Sequence, residues 1–129
     1  MIGYVMLGTN DLHRAAKFCD TILAPLGLVQ VARTETYAAY APETAKDAIE
    51  FYVTTPYDQC KATPGNGTMI AFQAPTMQAL EQFHEAGLKS GGSDEGAPGP
   101  REEDSTICYA YIRDADGNKI CAFCDGPDG

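Results

Sequence analysis

Apolar positions along this chain come in two similar waves, each a short β-rich run, then a stretch with a 3.6-residue period, then further short alternating runs. Met1 to Gly27 matches Asn66 to Gly92 at a constant offset of 65 residues, in pattern more than in identity. Tyr4 to Leu7 fall on Met69 to Phe72, Leu12 on Met77, Phe18 on Phe83, Leu23 on Leu88 and Gly27 on Gly92. In the first helix Leu12, Ala15, Ala16, Cys19, Ile22 and Leu23 form the apolar stripe. Asn10 or Asp11 can cap its start, and Pro25 and Gly27 stop it. In the second, Thr76 is the expected N-cap, and Met77, Leu80, Phe83 and Leu88 form the stripe that ends before Gly91 and Gly92.

Strands are expected at Leu28 to Arg33, Thr36 to Tyr40 and Ile49 to Thr54, then at Ile107 to Arg113 and Lys119 to Cys124. By the last strand the offset has grown to 71, with Ala48 to Phe51 falling on Lys119 to Ala122, so the second half carries about six extra residues. Their expected place is the Gly-, Pro- and acid-rich stretch Ser93 to Asp104, read as a loop at a pocket rim. Asp114 to Asn118 is a turn between two strands. Its carboxylates resemble the start of a calcium loop, but the glycine and distal glutamate are misplaced and strands flank it where helices should, which argues against calcium.

At 129 residues, 44% hydrophobic and 21% charged, the chain has the size and composition of one globular domain. That domain is expected over residues 1–129, with repeat one at about 1–57 and repeat two at about 66–125. No window approaches the roughly 18 consecutive apolar residues of a membrane helix, and the N-terminus has no basic region leading into an apolar stretch. A cytoplasmic protein without a membrane partner is expected. The net charge of -9, with no Lys/Arg cluster to offset it, argues against nucleic acid as a partner.

Five cysteines, an odd number, point to free thiols. Cys121 and Cys124 have redox-motif spacing, but strand residues three apart point to opposite faces, so inert buried thiols are expected there. Cys19 and Cys108 read as small core residues and Cys60 as an exposed loop residue. His13 and His84 fall within the helices and read as surface or boundary residues. No Ser/His/Asp triad, paired-carboxylate site or phosphate-binding glycine loop is assembled.

Two βαβββ halves, the opening Met-Ile-x-x-Val strand, Asn10-Asp11-Leu12, Phe18-x-Asp20 and Leu26-Gly27 resemble the glyoxalase, bleomycin-resistance and extradiol dioxygenase (vicinal oxygen chelate) superfamily. Gly67-Thr68-x-Ile70-Ala71-Phe72, Pro98-Gly99-x-Arg101 and Arg113-Asp114-x-Asp116-Gly117-Asn118-x-Ile120 resemble the second half of its small bacterial members. The resemblance implies an α+β fold, with two βαβββ repeats forming a curved mixed sheet around a pocket. It also implies a homodimer.

Enzymes of that superfamily hold a divalent metal with His or Gln and Glu from the first and last strands of each half. Carried over residue by residue, the metal positions here are Tyr4, Glu50, Met69 and Cys121. A neutral phenol with a pKa of about 10 and a thioether are poor ligands for such ions, leaving Glu50 as the one ordinary hard ligand. No cofactor is expected on this donor set, a divalent metal being the alternative.

Strand alternation groups Tyr4 with Met6, Glu50 with Tyr52, Met69 with Ala71, and Cys121 with Phe123. On the family architecture these line a concave, mainly apolar and aromatic pocket, with Tyr109 or Tyr111 and Arg101 at the rim. The expected function is binding of a small organic molecule without the usual metal, Glu50 pairing with a cationic group. One alternative is a lyase, isomerase or dioxygenase, either metal-dependent or with Glu50 as a catalytic base. Another is a non-catalytic structural module whose pocket is filled by its own side chains.

Overall fold

In the computed structural model, which describes residues 1–126, both halves fold as βαβββ units. The first runs β1 (Val5–Gly8), α1 (Leu12–Leu23), a 3-10 turn (Ala24–Leu26), β2 (Leu28–Arg33), β3 (Tyr37–Pro42) and β4 (Phe51–Thr54). The second runs β5 (Met69–Gln73), α2 (Met77–Lys89), β6 (Ser93–Pro100), β7 (Ile107–Arg113) and β8 (Lys119–Asp125). Each half makes one mixed four-stranded sheet, ordered β1-β4-β3-β2 and β5-β8-β7-β6. The first and last strands of each half pair in parallel and the others antiparallel. The fold is the expected α+β one. Among the described residues no helix is long and apolar enough to cross a membrane.

Local chemistry sets the helix limits. Asp11, not Asn10, caps α1, its carboxylate accepting the Arg14 N–H at 3.1 Å, and the Thr76 hydroxyl accepts the Ala79 N–H at 3.0 Å to start α2. Gly27 turns the chain from the 3-10 turn into β2 with a left-handed φ of 83°. Within α2, Gly87 is required by space. A Cβ there would sit 2.6 Å from Ile112 Cδ1, so glycine lets the helix lie close on β7.

Strand alternation divides each sheet into two faces. Ala38, Tyr40, Phe51 and Val53 of the first sheet, and Ala110, Ile112, Ile120 and Ala122 of the second, enter the core beneath the helices. α1 also packs on α2, so the two helix-covered faces share one continuous core. The opposite face of each sheet carries no helix among the described residues.

Polar groups lock the halves together at one point. Asp116, in the β7–β8 turn, accepts from the Thr9 hydroxyl at 2.6 Å, the Asn10 N–H at 3.0 Å and the Arg14 guanidinium at 3.1 Å. The buried Asn118 amide donates to the Gly8 carbonyl at 2.9 Å and to Asp114 at 3.0 Å. The turn that resembled a calcium loop is therefore a clasp on the β1–α1 junction.

The structure corrects four expectations. Ser93 to Pro100, read as loop, is strand β6. It is an edge strand with two irregularities in its register against β7, which accommodates glycine and proline poorly suited to a regular ladder. The offset between the last strands is 69, not 71, because Val5 pairs with Phe51 and its counterpart Ile70 pairs with Ile120. Leu88 is exposed, the inward side of α2 being completed instead by Ala79, His84 and Gly87. His84 is buried and not a surface residue, its ring nitrogen Nε2 lying 2.9 Å from Asp94 Oδ1.

Asn118→Ala should cost about 1–3 kcal/mol, because it strands the Gly8 carbonyl and one Asp114 oxygen in a buried place. Thermal unfolding should then begin several degrees lower, while the exposed Lys46→Ala stays within about 0.5 kcal/mol of the parent. Equal melting temperatures for Asn118→Ala and the parent would contradict the role of the clasp.

Candidate functional site

The uncovered face of the first sheet is aromatic. Tyr52 lies on β4, with Tyr4 edge-on to its ring at 5.0 Å and Tyr37 of β3 edge-on at 5.3 Å. Met6 is paired directly with Tyr52 across the parallel β1–β4 ladder. A cleft of about 480 Å³ opens beside Met6 and Tyr37 and reaches Tyr57.

The uncovered face of the second sheet is aromatic and cationic. Lys119, Cys121 and Phe123 alternate along β8, opposite Arg113, Tyr111 and Tyr109 of β7. Tyr109 and Tyr111 lie nearly parallel, centroids 6.1 Å apart, and Phe123 stands 6.1 Å from Tyr109. Both tyrosines thus share this face. Lys119 Nζ sits 5.2 Å from the centre of the Tyr111 ring, and the Arg101 guanidinium, just past β6, sits 6.0 Å from it. Gly96 of β6 makes room for that ring, since a Cβ there would meet Tyr111 Cδ2 at 2.7 Å. Arg113 is paired with Glu95 and also donates to the Gly117 carbonyl at 2.8 Å. Met69, Arg101, Tyr111 and Lys119 border a cleft of about 700 Å³ whose far wall is the 64–68 segment.

The residues singled out in the sequence therefore fall into two sets. Tyr4, Met6 and Tyr52 meet on the first sheet, and Met69, Arg101, Tyr109, Tyr111, Cys121 and Phe123 lie on or beside the second. Neither cleft contains residues from both faces. Glu50 lies beside Tyr4 and alternates with Tyr52, its carbonyl accepting the Val5 N–H at 3.1 Å, but it borders neither of these two clefts. It is exposed, precedes β4, and borders a smaller cleft with Phe72 and Gln73.

Sequence reasoning passed over Tyr37 and Lys119. The alternation that selected Cys121 and Phe123 also selects Lys119, two residues earlier. Tyr37 lay inside the expected strand, but only the pairing of β3 with β4 shows that it meets Tyr52.

The donors at the carried-over metal positions suit a divalent ion poorly. With the observed register, Tyr4 corresponds to Met69 and Cys121 corresponds to Tyr52, while Glu50 corresponds to Lys119. Burial pushes the Cys121 thiol up to about 11, outweighing the lowering effect of Lys119 and Arg101. A phenol, a thioether and a protonated thiol beside two cations form a weak and electrostatically hostile set for zinc, nickel or manganese. Among the described residues no group of three His, Cys, Asp or Glu stands together in a way that could hold a metal.

Cys121 faces the uncovered side, whereas Cys124 joins the helix-side core with its sulfur 3.7 Å from Met77 Sδ. The two thiols thus point apart. Burial also pushes the Cys19 and Cys124 thiols up. With a thiol reagent at neutral pH, the exposed Cys60 should react first, and Cys60→Ser should remove the fast phase. Cys19 and Cys121 should react only on unfolding. Fast labelling at Cys121 in the native protein would contradict this assignment.

No family model matches the sequence, and no match was found among curated proteins. Solved structures are similar. A glyoxalase/bleomycin resistance protein from Albidiferax ferrireducens T118 superposes with a TM-score of 0.85 at 38% identity, over 96% of this chain and 98% of that one. A glyoxalase-related enzyme from Fulvimarina pelagi (TM-score 0.72, 18% identity, 100% of this chain and 94% of that one) shares the fold. So does a glyoxalase/bleomycin resistance protein/dioxygenase family enzyme from Burkholderia phytofirmans PsJN (TM-score 0.70, 15% identity, 95% and 97%). An identity of 38% sustained over nearly the whole length of both chains, on the same paired βαβββ halves, places this chain in the glyoxalase/bleomycin resistance protein family.

Proposed function

We propose that this chain is a homodimeric small-molecule binding protein that works without a divalent metal. The observation that carries the reading is the division of one aromatic residue set over two uncovered sheet faces, each bordered by an open cleft. Tyr4, Met6 and Met69 remain 57%, 50% and 43% exposed, and β1 and β5 are sheet edges. Free edges and apolar faces of this kind are ordinarily covered by another chain.

A second copy related by a twofold axis brings the first face of one protomer against the second face of the other, and does so twice. Tyr4, Tyr37 and Tyr52 then face Tyr109, Tyr111 and Phe123 across each closed pocket. Such a pocket suits a small, partly aromatic molecule held by ring contacts. The open volume of the two clefts favours binding over a module filled by its own side chains. Catalysis by Glu50 has no comparable support, since it is exposed and borders neither of the two aromatic clefts.

Sedimentation equilibrium should give two chains per particle, and Met6→Lys should give a monomer with unchanged circular dichroism. In a thermal-shift screen of small aromatic compounds, the stabilisation given by a hit should disappear with Tyr52→Ala and with Tyr109→Ala alike. A monomeric parent, or a hit that depends on one face only, would contradict the composite pocket.

A further inference from the structure

The second-sheet cleft concentrates positive charge in an acidic protein. Three of the nine Lys and Arg residues of a chain with a net charge of -9 border it, namely Arg101, Arg113 and Lys119. Arg113 is neutralised by Glu95, the one acidic residue of the lining. Among the described residues, Arg101 and Lys119 have no carboxylate partner. The acidic run Glu102 to Asp104 follows Arg101 directly but does not border the cleft.

Both unpaired cations converge on one ring. Lys119 stands diagonally from Tyr111 across the β7–β8 ladder, with its ammonium 5.2 Å from the ring centre, while Arg101 approaches the same ring from the end of β6 at 6.0 Å. An aromatic face holds such cations without consuming their hydrogen-bond donors in an ion pair. The donors stay free to meet an anion. Beyond them on the same face, the rings of Tyr109 and Phe123 offer an apolar platform.

We propose that the ligand of this pocket is a small aromatic or similarly planar anion, its carboxylate or equivalent oxyanion held by Lys119 and Arg101 and its ring resting on Tyr109 and Phe123. This rests on the reading of the chain as a small-molecule binder and specifies the charge of what it binds, opposite to the cationic ligand that Glu50 alone suggested. Lys119 lies two residues before Cys121 on the same face, and Arg101 meets the same Tyr111 ring. They supply fixed positive charge at that end of the cleft, and a carboxylate is matched there by charge-assisted hydrogen bonds. Tyr111 is a positioning residue, holding both cations toward the cleft.

Benzoate, benzamide and benzamidine share one shape and carry charges of -1, 0 and +1, so titrating each into the full-length protein by NMR separates charge from ring binding. Benzoate should bind about tenfold tighter than benzamide, as expected for a charge-assisted contact, and benzamidine weakest. Lys119→Met and Arg101→Met should each bring benzoate toward the benzamide affinity while leaving benzamide unchanged, which also reports an intact fold. Benzamidine binding as tightly as benzoate, or a benzoate preference that survives both substitutions, would overturn the anion site and leave the binding reading standing. Perturbation by none of the three at millimolar concentration would overturn both.

Discussion

Packing of α1 against α2 uses the helix-covered face of each sheet to build a single core, and leaves the other face of each sheet without a helix among the described residues. Exposed Tyr and Met gathered on such a face mark it as a surface for interaction. The side chains follow that division closely. Ala38, Tyr40, Phe51, Ala110, Ile112 and Ile120 face the helices, while Tyr37, Tyr52, Tyr109, Tyr111, Phe123 and Lys119 face the other way.

The clasp at the β7–β8 turn holds this arrangement in register. Asp116 and Asn118 tie the end of β1 and the first turn of α1 to residues more than a hundred positions later. Because Asn118 is buried, each of its hydrogen bonds replaces one that water would otherwise make, and leaving any unmade carries the full desolvation cost. Burial also raises the Asp114 carboxyl despite the hydrogen bonds it accepts from Asn118, a measure of how far the turn is withdrawn from water. The sequence Asp114-Ala-Asp116-Gly-Asn118 thus has a structural use that accounts for its acidic side chains without an ion.

Much of the fold was legible because it is written twice. The repeated strand-then-helix pattern, the Thr76 cap and the Gly27 stop are local signals, and local physics decides them. β6 was not legible. Gly96, Pro98 and Pro100 are poor strand residues, and they form one because β7 supplies a ladder and the edge tolerates irregular register. The two-residue slip in the last-strand alignment had the same origin, since loop lengths between strands differ in the two halves and only hydrogen-bond pairing reveals which residues correspond. Face membership survived that slip because an even shift preserves alternation.

The candidate site was legible in its residue types but not in its assembly. Tyr109, Tyr111, Cys121 and Phe123 do share a surface, yet nothing in the spacing tells that Tyr4 and Tyr52 occupy a different sheet. Arg101 closes one motif and Lys119 is the variable position of another, 18 positions on, so their convergence on Tyr111 emerges only from the β6–β7–β8 pairing. Central to the proposed function is that these two cations, in place of a metal, supply the positive charge of the pocket. Its most direct test is the metal content of protein purified without chelators, loaded with zinc, nickel or manganese and then dialysed. The account predicts far less than one ion per chain for each metal, whereas one tightly held ion per chain, lost on Cys121→Ala, would contradict it.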